Sequence, residues 1–218
     1  YLQRNIIIKG DGSDKTRFTF TDYGFKIFGG VGAITAGISS ANYNSATKTL
    51  NSNPFKDWLN QDNRNRFLEI TVPNGYWHKP GEDGNNYVGQ IVKVQSYTDN
   101  SITFVDDIGL TLSFSGAGNP AQIRNINPVV GVGFEDFKVS TSGTLNTHFT
   151  FSLAANCWVS GVESYNPGWH HVNIGASTYI EIRGCYIYEA KDVCTGGRGY
   201  GVFIGNHAYL IFQMWENN

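Results

Sequence analysis

Four stretches in the last third of the chain can be laid one over another, and this stacking limits the fold more than any other feature. Phe134, Val159, Ile182 and Phe212 form one apolar column, Phe137, Val162, Cys185 and Trp215 a second, and Val139, Ser164, Ile187 and Asn217 a fainter third. The column members lie 25, 23 and 30 residues apart, a period that belongs to stacked supersecondary units. A companion line, Phe149-Thr150-Phe151, Val172-Asn173-Ile174 and Val202-Phe203-Ile204, ends 8 residues before Val159, Ile182 and Phe212 in turn. Two short β-rich segments per repeat, with one connection constant and the other variable, describe the coils of a parallel β-helix.

A single coil has strands too short to bury anything alone. It becomes stable when the next coil stacks about 4.8 Å away and like side chains fall on like. Alternation along each strand then sends Phe134, Phe137 and their equivalents inward. Glu135, Ser160, Arg183 and Gln213 become one outward column and Lys138, Glu163, Tyr186 and Glu216 another, with Lys138 beside the oppositely charged Glu163. The same register places His148 beside His171.

The reading of the rest follows chain order. Residues 1–20 hold a first coil: Ile6-Ile7-Ile8, a turn over Gly10-Asp11-Gly12-Ser13-Asp14-Lys15, then Arg17-Phe18-Thr19-Phe20. The Gly-x-Gly of that turn precedes no helix, so it is no phosphate cradle. Residues 21–124 lose the stacking pattern and read as an insertion. An irregular excursion runs to Leu50, and Asn53-Pro54-Phe55 opens one short helix. The period then changes to 2 in Phe67–Val72, Tyr87–Val94 and Ser101–Val105, with Thr98-Asp99-Asn100 turning a hairpin, as in a small antiparallel β module. Coils resume over 125–218 and are expected to continue beyond Asn218, or to meet another chain end to end, because an open parallel edge invites pairing. The opening inside a strand likewise suggests residues upstream. The fold class is therefore all-β: a parallel β-helix, or solenoid, with an inserted antiparallel module.

Composition narrows the partners. The chain of 218 residues has a formal charge of −2, 16% charged residues and 26 glycines. That balance leaves no electrostatic footprint for nucleic acid or a membrane surface, and no run reaches the ~18 apolar residues of a spanning helix. Cys157, Cys185 and Cys194 are an odd set. Cys185 falls in an inward column, while Cys194, in a loop, could bridge to it in an oxidising compartment.

In a solenoid, length variation collects at one corner, commonly the binding face. Here that corner runs from Ser140 to His148, from Tyr165 to His171 and from Tyr188 to Gly201. It carries Tyr165, Trp169, His170 and His171 in one repeat and Tyr188, Glu189, Lys191, Asp192, Arg198 and Tyr200 in the next. Acids and carbonyls in the long turn suit a hard cation such as calcium. No Cys/His set has zinc spacing.

The coil layout over Asn5–Phe20 and Asn125–Asn218 resembles the pectate-lyase-like superfamily of right-handed parallel β-helices. Asn156-Cys157-Trp158-Val159-Ser160-Gly161-Val162-Glu163-Ser164 and the ending Trp215-Glu216-Asn217-Asn218 look like those of uncharacterised secreted bacterial members. The resemblance implies a secreted protein that cuts or binds an acidic polysaccharide. The Arg-x-Pro-x-x-Arg of pectate lyases and the Asn-Thr-Asp and Gly-His-Gly of polygalacturonases are missing, so no family active site carries over.

Two classes of function stay open. A lyase needs a base beside a neutralised carboxylate: His170, His171, Tyr188 or Tyr200 for the first, Arg198 or Lys191 for the second. A glycoside hydrolase needs two carboxylates, for which Glu163, Glu189 and Asp192 are available. Trp169, Tyr165 and Tyr188 would stack on sugar rings in either enzyme, with Tyr200 and Glu163 among the substrate contacts. The alternative is a non-catalytic glycan-binding adhesin, a phage-type spike segment or a structural fibre unit.

Overall fold

The computed structural model describes residues 4–38, 42–61, 66–72, 88–108, 121–142, 147–190 and 200–204. The chain divides into two compact units, Tyr1–Gly29 with Val129–Asn218, and Gly30–Pro128.

The first unit is a parallel β-helix with three faces of four strands each. The first face stacks Arg4–Lys9, Val129–Glu135, Ala154–Ser160 and Thr178–Arg183. The second stacks Arg17–Phe20, Lys138–Thr141, Glu163–Tyr165 and Tyr186–Tyr188. The third stacks Phe25–Phe28, Phe149–Ser152, His170–Gly175 and Tyr200–Ile204. All these pairings are parallel, and their register is the one the columns predict. Ile8, Phe134, Val159 and Ile182 are successive partners, as are Phe18, Val139, Ser164 and Ile187. On the third face Phe25, Phe149, Val172 and Val202 align in the same way. Phe212 and Trp215, which close the predicted columns, lie outside the described residues.

The inward side chains make one core. Phe134, Phe137, Phe149 and Phe151 are fully buried among Val159, Val162, Val172, Ile174 and Ile182. Each such side chain contributes about 1.5–3 kcal/mol by leaving water, and the coil gains this only when its neighbours are in place. Cys157 and Cys185 are free thiols, and burial raises the pKa of both. Cys194, the expected partner of Cys185, lies outside the described residues.

The corners repeat as faithfully as the strands. Asp136, Gly161 and Gly184 turn from the first face to the second with φ of 56°, 62° and 56°. Asn5, Gly131, Asn156 and Tyr179, neighbours across the first face, share φ values of 58°, 72°, 52° and 53°. A left-handed residue other than glycine costs about 1–2 kcal/mol. It persists here because the coils above and below dictate the bend. Glycine avoids the cost at Gly161, where a Cβ would also lie 2.5 Å from Asp136 Oδ1. Gly161→Ala should therefore destabilise by about 1–2 kcal/mol in urea unfolding, and an unchanged midpoint would refute the strain.

The first coil is longer than the sequence suggests. Phe25–Phe28 is its third side, paired with Phe149–Ser152, whereas the excursion had been expected to begin at 21. Coils resume at Val129, since Ala121–Asn127 belongs to the other unit. The physical reason is shared: the short strands at both junctions suit either sheet, and partner strands decide.

The second unit is a seven-stranded sheet in the order Gly30–Ile38, Ala121–Asn127, Phe67–Val72, Val88–Tyr97, Ile102–Phe104, Thr49–Leu50, Tyr43–Asn44, with every neighbour antiparallel. The expected hairpin is closed by the Thr98 N–H donating to Ser101 O at 2.9 Å. The short helix is Lys56–Leu59, and Asn53 Oδ1 accepts the Phe55 N–H just before it. Gly30–Ile38, expected to wander, is a nine-residue strand; its glycines and alanines hide a period that its partner supplies. Leu68, Ile70, Val92, Ile102 and Phe104 form the core of this unit with Leu50, Phe55 and Leu59. Glu69, fully buried, pairs with Arg124 on the adjacent strand.

Candidate functional site

On the second face, alternation turns Lys138, Glu163 and Tyr186 outward in one column and Ser140, Tyr165 and Tyr188 in the next. Three tyrosines thereby meet. The Tyr165 and Tyr188 ring centroids are 4.9 Å apart at 33°, and those of Tyr188 and Tyr186 are 4.7 Å apart at 34°. Each ring of this array covers the next, which leaves Tyr186, 67% exposed, with an open face.

The polar ends are tied together beside the rings. Lys138 Nζ is ion-paired to Glu163 Oε1 and donates to the Tyr188 hydroxyl at 3.0 Å. That hydroxyl in turn donates to Glu163 Oε1 at 2.6 Å. The ammonium also sits 5.2 Å from the Tyr165 centroid and 5.6 Å from that of Tyr188, within cation–π range. Each group fixes the charge of its neighbour. Hydrogen bonds from Lys138 and Tyr188 hold Glu163 below the usual carboxylate range, and bonding to Glu163 and Tyr188 raises Lys138. Tyr188 is raised chiefly by its bond to Glu163. At neutral pH the set is a carboxylate, an ammonium and a neutral phenol, which can position and hydrogen-bond a ligand.

The predicted site residues divide accordingly. Glu163, Tyr165 and Tyr188 are brought together. Trp169 is exposed at the next corner, its ring stacked on His170 at 4.4 Å. Glu189 is exposed directly after Tyr188, in the left-handed conformation. Tyr200 begins the strand Tyr200–Ile204 opposite His170. Lys191, Asp192 and Arg198 lie outside the described residues. His170 and His171, expected in a surface turn as bases, are instead buried at the start of a strand of the third face. His170 shares the parity of Val172 and Ile174 and is covered by Trp169, whereas His171, of the opposite parity, turns in at the corner to meet Ser164. Lys138 and Tyr186, absent from the predicted site, share an outward column with Glu163, and that column is the signal in the sequence that points to them.

His148 does lie beside His171, as the register predicted, with ring centroids 5.9 Å apart. Ser164 Oγ sits between them, 2.7 Å from each Nδ1. Burial pushes His148 down to about 3 and His171 to about 4, each helped by a neighbouring histidine. Among the described residues no three His, Cys, Asp or Glu side chains gather as metal ligands, and the long turn expected to suit calcium lies largely outside them. No helix among these residues is long and apolar enough to cross a membrane.

Three parallel sheets around one interior, with an aromatic and charged outer surface, define a parallel β-helix protein. Its fold is similar to that of the tailspike protein gp49 from Pseudomonas phage LKA1, with a TM-score of 0.51 and 14% identity over 97% of this chain and 39% of that one. It is equally similar to the tailspike gp61 of Pseudomonas phage phi297, with a TM-score of 0.52 and 12% identity over 97% of this chain and 38% of that one. At these identities the likeness establishes the β-helix alone, and the chain spans about two fifths of either tailspike. No protein-family model matches the chain, and no curated protein matches it in sequence.

Proposed function

We propose that this chain is a glycan-binding β-helix that holds a polysaccharide against the outer tyrosines of its second face. The observation that carries the reading is the array Tyr165–Tyr188–Tyr186 with the Lys138–Glu163 pair locked beside it. A pyranose has an apolar C–H face and a rim of hydroxyls. The open face of Tyr186 suits the first, and the fixed carboxylate and ammonium suit the second. The rings are held in place before any ligand arrives, which lowers the entropy cost of binding. The family resemblance of the coils supports a polysaccharide partner and an extracellular setting. Binding is preferred to cleavage because the one carboxylate beside the rings, Glu163, is already engaged by Lys138 and the Tyr188 hydroxyl.

A glycan array of bacterial and plant polysaccharides, screened with the whole chain, tests this. Tyr186→Ala should weaken binding to the retained glycan at least tenfold, about 1.4 kcal/mol, while leaving the unfolding midpoint in place. Equal affinity for wild type, Tyr186→Ala and Tyr188→Ala, or no retained glycan at all, would refute the reading. Unsaturated products or new reducing ends in the retained glycan would add catalysis to it.

A further inference from the structure

Directly beneath the tyrosine array lies the histidine pair. Ser164, 2% exposed, points inward from the same three-residue strand whose flanking residues, Glu163 and Tyr165, point outward into the site. Its hydroxyl is shared between two buried imidazoles, and a hydroxyl has a single hydrogen to give. It can donate to one Nδ1 only if the other Nδ1 carries a proton and donates to it. His148 Nε2 is buried and has no hydrogen-bond partner among the described residues. An unmet lone pair there is cheaper than an unmet N–H. That assigns the proton of His148 to Nδ1, the serine hydrogen to the bond with His171 Nδ1, and the proton of His171 to Nε2.

We infer that this relay is an acid-operated latch: a proton taken up by either imidazole frees the strand Glu163–Tyr165 and dismantles the tyrosine face it carries. A proton from solvent at His171 Nδ1 turns the acceptor into a donor, so the serine hydrogen has nowhere to go. A proton at His148 Nε2 adds a buried N–H without a partner. Either one also places a positive charge in the core, 5.9 Å from another imidazole. Among the described residues the surroundings offer no opposite charge. Val139 and Ile187 flank Ser164 in its ladder. The inward residues of the strands packed around it, Phe18, Phe20, Thr141, Phe25, Phe149 and Val172, are neutral. The one further titratable group beside the pair, among the described residues, is His170. Lys138 and Glu163 face outward and neutralise each other.

Opening the corner lets both imidazoles hydrate and take their ordinary affinity for protons. The open population should then rise roughly 500-fold between pH 7 and pH 5. The consequence for glycan release rests on the function proposed above; the opening of the strand does not.

Protection factors from native-state hydrogen exchange on the whole chain test the latch. Between pH 7 and pH 5 the amides of Glu163 and Tyr165 should lose protection by two orders of magnitude or more. Val159, on the first face, should keep its protection, and the loss should vanish in the double variant His148→Gln/His171→Asn. A uniform loss across all three faces, or the same local loss in the double variant, would overturn the inference. Should that variant not fold, NMR titration of the wild-type imidazoles is read together with exchange: ordinary midpoints near 6.5 for His148 and His171 would overturn it, and depressed midpoints together with the local loss at Glu163 and Tyr165 uphold it. A glycan retained at neutral pH should be released at pH 5 by the wild type and kept by the variant. Absence of any retained glycan at neutral pH sinks the proposed function and leaves the exchange result to judge the latch.

Discussion

Phe149→Ala is expected to destabilise the chain by about 3–5 kcal/mol, the usual cost of truncating a buried phenylalanine. Phe149 is fully buried, and three rings close on it: Phe25 stacked at 5.6 Å, Phe134 at 5.1 Å and Phe137 at 6.3 Å. These come from all sides of the coil, so the void cannot be filled by moving one strand. The next residue, Thr150, faces the other way on the same strand. Thr150→Ala should therefore stay within about 0.5 kcal/mol of wild type. Urea unfolding of the two variants makes the comparison. Similar losses for both would mean that alternation does not set the inside of this coil.

Acid should have the second large effect. His148 and His171 titrate at about 3 and about 4 in the folded chain, against an ordinary value near 6.5 once unfolded. The unfolded state therefore binds more protons between those limits, and stability falls as pH falls. The contribution is fully present above about pH 6.5 and is lost on the way down through the folded values. Each histidine accounts for about 1.4 kcal/mol per pH unit in that window, so going from pH 7 to pH 5 removes up to about 4 kcal/mol. The latch sets a ceiling, because once the corner opens the imidazoles protonate without further unfolding. Glu135 and Glu163, both lowered, act in the same direction once pH falls below the ordinary carboxylate values, so between pH 7 and pH 5 the imidazoles dominate the change. Unfolding midpoints from pH 8 to pH 5 measure the effect. A flat profile across that range would show that the imidazoles are not buried neutral.

The ladders were legible because stacking is a one-dimensional rule. Phe134 on Val159 on Ile182 follows once the offset is known, and Lys138 beside Glu163 follows from the same offset. Even the His148–His171 neighbourhood could be read in this way. Their burial could not, since it depends on the corner closing around the inward Ser164 of the neighbouring strand. The junctions failed for a related reason. Phe25–Phe28 and Ala121–Asn127 are short segments in which apolar and polar residues mix, and an antiparallel or a parallel partner would serve either equally well by local preference.

The amino-acid order by itself determined the coil, its register and which strand side chains of the first two faces turn outward, because each repeat must match the one beneath it residue for residue. The tertiary structure decided what those outward and inward residues do together. It closed Tyr188 onto Lys138 and Glu163, and it set one serine between two imidazoles. Such meetings depend on side-chain reach and on the water excluded around them, neither of which a period can encode.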